Sequence, residues 1–146
     1  MTVPSVVPCR GGSWPPGTTV AEAMLARPKI CAPSTTVGQA RAMFDDDHVH
    51  ALLVVDAGVL LAVVERPDIE GAPPDAPAVE RGLLTGRVVG PDADLHATWD
   101  AMTGRRLAVV NPQGVLLGLL CLKRSRRGFC SAEDVAARER ERRLAG

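Results

Sequence analysis

One pattern of residues occurs twice along this chain, and it limits the possible folds more than any other feature. Pro33 and Pro91 stand 58 positions apart, as do Val37 and Leu95, each of which opens a candidate helix. Val54-Val55-Asp56 returns 55 positions on as Val109-Val110-Asn111, and Leu61-Ala62 returns 56 on as Leu117-Gly118. The second copy has lost three residues between helix and hairpin and gained one at the turn. Two copies of strand–helix–strand–strand–helix at this period are an internal duplication, not a long solenoid. Each half is too small to close a core alone, so the halves must pack on each other. The expected fold is α/β, with residues 1–17 a flexible N-terminal segment, 18–75 the first repeat, and 76–146 the second repeat ending in a helix.

Local signals place the elements. Thr19-x-x-Glu22 and Thr36-x-x-Gln39 are capping boxes. The first opens a short helix with Val20, Ala23 and Met24 on one stripe. The second opens a helix to about Asp47, with Val37, Ala40, Met43 and Phe44 on one face. Lys29–Pro33 reads as a short strand. Ala51–Asp56 and Leu60–Glu65 flank an Asp-Ala-Gly turn and read as a hairpin, apolar enough to be covered on both faces. Residues 107–122 are the matching hairpin. Pro67 ends the first hairpin and suits the first turn of a following helix. Ala78–Leu84 and Ser131–Leu144 are further helix candidates.

Charge and composition exclude several classes. Lys+Arg and Asp+Glu both total 17 in 146 residues, so general affinity for nucleic acid or an acidic membrane is not expected. There is no tyrosine, and two Phe and two Trp offer no base-stacking platform. No apolar run is long enough to span a bilayer, and the proline-rich start does not resemble a signal peptide; a cytoplasmic location is the expectation. Zero net charge also favours self-association, and apolar helix faces at Val20–Met24 and Val79–Leu84 point to a homodimer. The four cysteines make no C-x-x-C pair. Cys31 and Cys121 read as small core residues. Cys130 follows a basic stretch, where Arg126 or Arg127 could lower its pKa.

The duplicated order resembles a tandem pair of CBS (cystathionine-β-synthase) domains, over roughly residues 18–136. The residues that carry it are Val20-Ala-Glu-Ala-Met24, Pro33-x-x-Thr36-Val37-x-x-Ala40, Leu53-Val-Val-Asp56 with Gly58, and Leu61-Ala-Val-Val-Glu-Arg-Pro-Asp68. The second copy supplies Val89-x-Pro91-x-x-Asp94-Leu95, Leu107-Ala-Val-Val-Asn111 and Gly114-Val-Leu-Leu-Gly118. The resemblance implies two pseudo-symmetric β-α-β-β-α repeats packed as one regulatory module. It also implies clefts that bind adenosine-containing molecules (adenosine, AMP or S-adenosylmethionine type), action through a protein partner, and no resident cofactor.

The family's nucleotide motif falls at the end of each repeat's last strand. In the first repeat it places Asp68 where ribose hydroxyls are held, with Val64 and the Ile30–Ala32 backbone, ending at Ala32, flanking the adenine. Glu65 stands where the family has Thr or Ser near phosphate, an anion that repels it, and Arg66 could compensate. Asp68 reads equally as a helix cap. In the second repeat Cys121 and Arg124 replace the Thr/Ser and the Asp. Lys123 and Arg124, with Arg126 and Arg127, could meet a phosphate or an acidic partner, or form a solvated linker. The alternative function is a structural or dimerisation module with decayed sites. A third is a metal-dependent hydrolase using His48, His50 and Asp45–Asp47. No G-x-S-x-G, P-loop or H-E-x-x-H motif is present, and no catalytic residues are assigned.

Overall fold

The computed structural model describes residues 14–47 and 49–130. His48, most of the expected flexible start and the helix expected at Ser131–Leu144 lie outside the described residues. The elements in chain order are α1 (Val20–Ala23), β1 (Ile30–Cys31), α2 (Val37–Phe44), β2 (Ala51–Asp56), β3 (Val59–Glu65), β4 (Val88–Val89), α3 (Leu95–Ala101), β5 (Arg106–Val110) and β6 (Leu116–Cys121).

They form two three-stranded sheets of identical topology, β1-β2-β3 and β4-β5-β6. In each, the first strand runs parallel to the second, and the second is antiparallel to the third. Val54 and Val109, the equivalent valines of the duplication, both lie on the middle strand and are fully buried. Alternation along the strands divides the apolar residues between two faces. Leu52, Val54 and Val64 face Val37, Ala40 and Phe44 of α2. Leu53, Leu60 and Val63 face the other way and meet Ala108 of the second sheet. The two sheets therefore pack face to face through their inner sides, and each outer side carries its own helix.

The hairpins turn differently. Ala57 and Gly58 both have positive φ (52° and 85°) and make the two-residue connection whose twist suits a hairpin. The second hairpin uses a longer loop, in which Asn111 Oδ1 accepts from the backbone N–H groups of Gln113 and Val115 at 3.0 and 2.9 Å. The two turns also meet: Leu60 N–H donates to the Gly114 carbonyl at 3.0 Å, and Leu116 N–H to that of Gly58 at 2.9 Å.

The lead-in segments are exchanged. α1 precedes the first sheet in sequence, yet Val20 and Ala23 are buried in the second repeat's core with Leu95, Val109 and Leu120. Leu25 bridges to Leu119 of β6. Symmetrically, Ala78 precedes the second sheet but lies in the first repeat's core, and Leu83 bridges to Val63 of β3. Because Val20 and Ala23 are consumed this way, the apolar face expected at Val20–Met24 is not open to a second copy.

Three elements differ from expectation. The helix after β3 is a single 3-10 turn, Arg66–Ile69; Pro67 starts it, and Gly71 at φ 75° and Pro73-Pro74 prevent its extension. The Ala78–Leu84 candidate is also a 3-10 turn, Ala78–Arg81, ended where Gly82 presses onto β3. α2 stops at Phe44, because the following Asp45–Asp47 carboxylates oppose the negative end of the helix dipole.

Candidate functional site

A cavity of about 600 Å³ opens where the two repeats adjoin. Its walls come from the end of β3 (Glu65), the segment Leu83–Val89 entering β4, the end of α3 (Thr98, Ala101–Gly104), and Arg106 and Leu107 of β5. The volume suits a small organic ligand, and the lining mixes apolar side chains with a few charges.

The electrostatic centre beside it is an ion pair absent from the sequence reading. Arg87 spans both oxygens of Asp68, with Nη1 at 2.6 Å and Nη2 at 3.2 Å, and donates to the Val63 carbonyl at 2.7 Å. Glu65 lies 3.5 Å from the same guanidinium. The Arg87 and Asp68 side chains are about one-sixth exposed, so this bidentate pair is shielded from water. Asp68 also accepts the Glu65 backbone N–H at 2.7 Å and so closes the capping box of the 3-10 turn that follows Glu65. Burial pushes the Asp68 carboxyl up, but the Arg87 hydrogen bond, the Glu65 N–H and the Arg87 charge outweigh it and hold the group below its ordinary value. Arg87 is pushed up, first by its hydrogen bond to Asp68.

That depression fixes a pH dependence. A carboxyl with a lowered folded-state pKa adds stability that is fully present above its unfolded value of 3.8 and is lost as the pH falls through the folded value. Asp68→Asn removes the increment. Wild type should be the more stable protein at neutral pH, and the two should converge in acid. Chemical denaturation at stepped pH checks this; a constant gap down to the acid limit would contradict it.

The residues singled out from sequence separate. Glu65 lines the cavity, and Asp68 stands behind it on Arg87. Val64 points the other way, into the α2 core. Ile30 and Ala32 are exposed on the far edge of the first sheet, because β1 pairs with β2 and not with β3. The wall of this cavity is formed by β4 of the other repeat, and Ile30–Ala32 do not line it. Arg66 turns outward, lies over the Phe44 ring at 5.2 Å and donates to the Asp46 and Val49 carbonyls. Lys123 and Arg124 follow β6, separated from β4 by β5, and do not line the cavity. Of the acidic-histidine run, His48 is not among the described residues. No group of three His, Cys, Asp or Glu converges on a metal position among those that are.

Arg87 was missed because nothing local marks it: it is 19 residues from Asp68, across a loop. One signal existed. Arg87 is the position equivalent to Lys29 at the 58-residue offset, a cation placed just before the first strand of each repeat. The partner positions differ, since the counterpart of Asp68 is Arg124, so the pair can form only once. Cys130 also differs from expectation: it is buried, with its sulfur 2.8 Å from that of Cys121. Trp14 docks edge-on to Phe129 at 6.1 Å, and its carbonyl accepts from His96 Nε2 at 2.6 Å.

Residues 15–75 match the CBS domain family model. No curated protein matches the sequence. Among solved structures, AcuB of Vibrio cholerae is 21% identical with a TM-score of 0.62, over 88% of this chain and 96% of that one. CBSX2, solved in complex with AMP, is 23% identical with a TM-score of 0.61, over 85% and 98%. The cytosolic domain of the Mg²⁺ channel MgtE, solved in complex with ATP, is 22% identical with a TM-score of 0.56, over 79% of this chain but only 46% of that one. No helix among the described residues is long and apolar enough to cross a membrane.

Proposed function

We propose that this chain, which carries a CBS domain and has the CBS-pair fold, is a regulatory module that holds an adenosine-containing ligand in the cavity between its repeats and acts through a protein partner rather than by catalysis. The observation that carries the reading is the lining of that cavity. Val88, Val89, Met102 and Leu107 offer an apolar wall for a flat base; Glu65 offers a carboxylate for ribose hydroxyls; Arg87 and Arg106 offer cations toward a phosphate. The AMP and ATP complexes of CBSX2 and MgtE support the ligand class. A cavity of about 600 Å³ has room for a nucleoside, a nucleotide or S-adenosylmethionine.

A ligand that binds only the folded state raises its melting temperature. Adenosine, AMP, ATP and S-adenosylmethionine are to be titrated against wild type and Leu107→Trp, which fills the apolar wall. At a hundredfold excess over Kd the binding increment is about 2.7 kcal/mol, so the ligand that fits should raise Tm by several degrees in wild type and not in the variant. If none shifts wild type at millimolar concentration, the nucleoside reading falls. The module would then be structural, a reading favoured by one observation: the Asp68 oxygens are already taken by Arg87 and the Glu65 N–H.

The module acts as a homodimer in this proposal. Leu83 and Leu84, adjacent in the chain, remain substantially exposed, an apolar spot that a second copy would cover. Sedimentation at micromolar concentration should give about twice the 15.4 kDa chain mass; a monomer throughout would contradict it.

A further inference from the structure

We propose that Cys121 and Cys130 are a redox-active dithiol that closes to a disulfide and clamps the hairpin between them onto the end of α3. After β6 the chain turns back on itself. Leu122 and Phe129 form an antiparallel bridge, Lys123 N–H donates to the Gly128 carbonyl at 2.8 Å, and Cys130 N–H donates to the Cys121 carbonyl at 2.7 Å. Cys121 and Cys130 are therefore directly opposed and joined by one backbone hydrogen bond. Directly opposed residues of an antiparallel ladder hold their Cα atoms about 4.5–5.5 Å apart, inside the roughly 4.4–6.8 Å window of disulfides. Directly opposed residues point to the same face of a ladder, and the two sulfurs are 2.8 Å apart. Forming the bond requires a small side-chain adjustment and no backbone rearrangement.

The hairpin's tip faces solvent. Residues 124–127 at its tip are exposed, and Arg126 sits at φ 63°, a conformation disfavoured for a residue with a side chain. Local opening of such a segment is the usual route by which buried thiols meet reagents. The hairpin is tied to the cavity wall. Trp99 Nε1 donates to the Arg126 carbonyl at 2.9 Å, and Arg126 Nη2 donates to the Met102 carbonyl at 2.8 Å. Closing the dithiol fixes the hairpin and through these bonds the Ala101–Gly104 segment. Cys31 belongs to the other sheet, on β1 opposite Val54 of β2, and is not part of this ladder.

The oxidant is a small disulfide. One protein thiolate attacks a sulfur of oxidised glutathione and expels a glutathione thiolate, leaving a mixed disulfide. The second protein thiolate attacks the protein sulfur of that adduct and expels the other glutathione. One protein S–S bond forms, and the glutathione disulfide takes up the two electrons and both protons.

The test uses the full chain in a Cys9→Ser background with oxidised glutathione under native conditions. The intact mass should fall by two hydrogens, and dithiothreitol should restore it. A non-reducing tryptic map should join Leu107–Lys123 to Gly128–Arg138. The closed form should melt roughly 5–10 °C higher, because the denatured chain is constrained. Cys121→Ser and Cys130→Ser should each retain one glutathione on the remaining thiol. A stable glutathione adduct on the parent chain, a linkage through Cys31, or no oxidation where the urea-unfolded chain oxidises readily would overturn the proposal. The parent chain's map decides it even if a serine variant fails to fold.

Discussion

Gly118→Ala is expected to destabilise the protein by about 3 kcal/mol, lowering Tm by roughly 10 °C. A β-carbon at this position would stand 2.5 Å from the Leu25 carbonyl oxygen and 2.6 Å from the Met24 sulfur. The methionine side chain can move. The carbonyl cannot, because the Leu25–Leu119 bridge holds it with hydrogen bonds in both directions, at 2.8 and 2.9 Å. Restoring the space means pulling the lead-in off β6, and with it α1, whose Val20 is fully buried in the second repeat's core. Gly90→Ala is the control: nothing lies within 4 Å of its would-be β-carbon, so it should change stability by less than about 0.5 kcal/mol. Urea denaturation of the two variants checks both. Equal stabilities would mean that the lead-in is not seated as described.

Arg87→Ala should cost about 2–3 kcal/mol and release the Asp68 carboxyl upward. The substitution removes a two-pronged hydrogen bond and leaves the Asp68 and Glu65 carboxylates adjacent without their shared cation. It also strips a donor from the Val63 carbonyl. Arg87→Lys keeps the charge but not the planar fork, and should recover only part of the loss. Carboxyl-carbon NMR titration reads the local effect directly, and denaturation reads the global one. An unchanged Asp68 titration in Arg87→Ala would show that the pair is not formed in solution. A double-mutant cycle with Asp68→Asn should return a coupling near 2 kcal/mol, because the partners are in direct contact.

The fold was more legible than the site, for a physical reason. Strand pairing and core burial leave repeating marks, so the recurrence of Val54-Val55 as Val109-Val110 located both middle strands, and the two Thr capping boxes located α1 and α2. The AMP-type complex of CBSX2 belongs to the same fold, yet the side chains around this cavity follow no local rule. Arg87 reaches Asp68 only because β4 is set beside the end of β3, a juxtaposition that tertiary packing creates. For the same reason Ile30–Ala32 do not line this cavity: the resemblance supplies a motif, but sheet order decides which strand lies across from it. The short 3-10 turns were unreadable as such, since Pro67 is compatible with either a helix start or a single turn. Cys130 was read against its sequence neighbours Arg126 and Arg127, whereas its partner lies nine residues back across a turn.

The exchanged lead-ins give the chain the connectivity of a swapped dimer drawn within a single polypeptide. Each half lends the other a helical turn and one bridging residue, Leu25 on β6 and Leu83 on β3, and receives the same in return. The loop through Pro73 and Pro74 joins the halves and is itself anchored: the Ala76 and Pro74 carbonyls accept the Val37 and Gly38 N–H groups at the start of α2, each at 2.8 Å. It presents each lead-in to its acceptor at an effective concentration in the millimolar range or above, turning what would be a second-order association of two small bodies into a first-order closure. Neither half has a complete core until both have traded, so the two gain and lose their structure together.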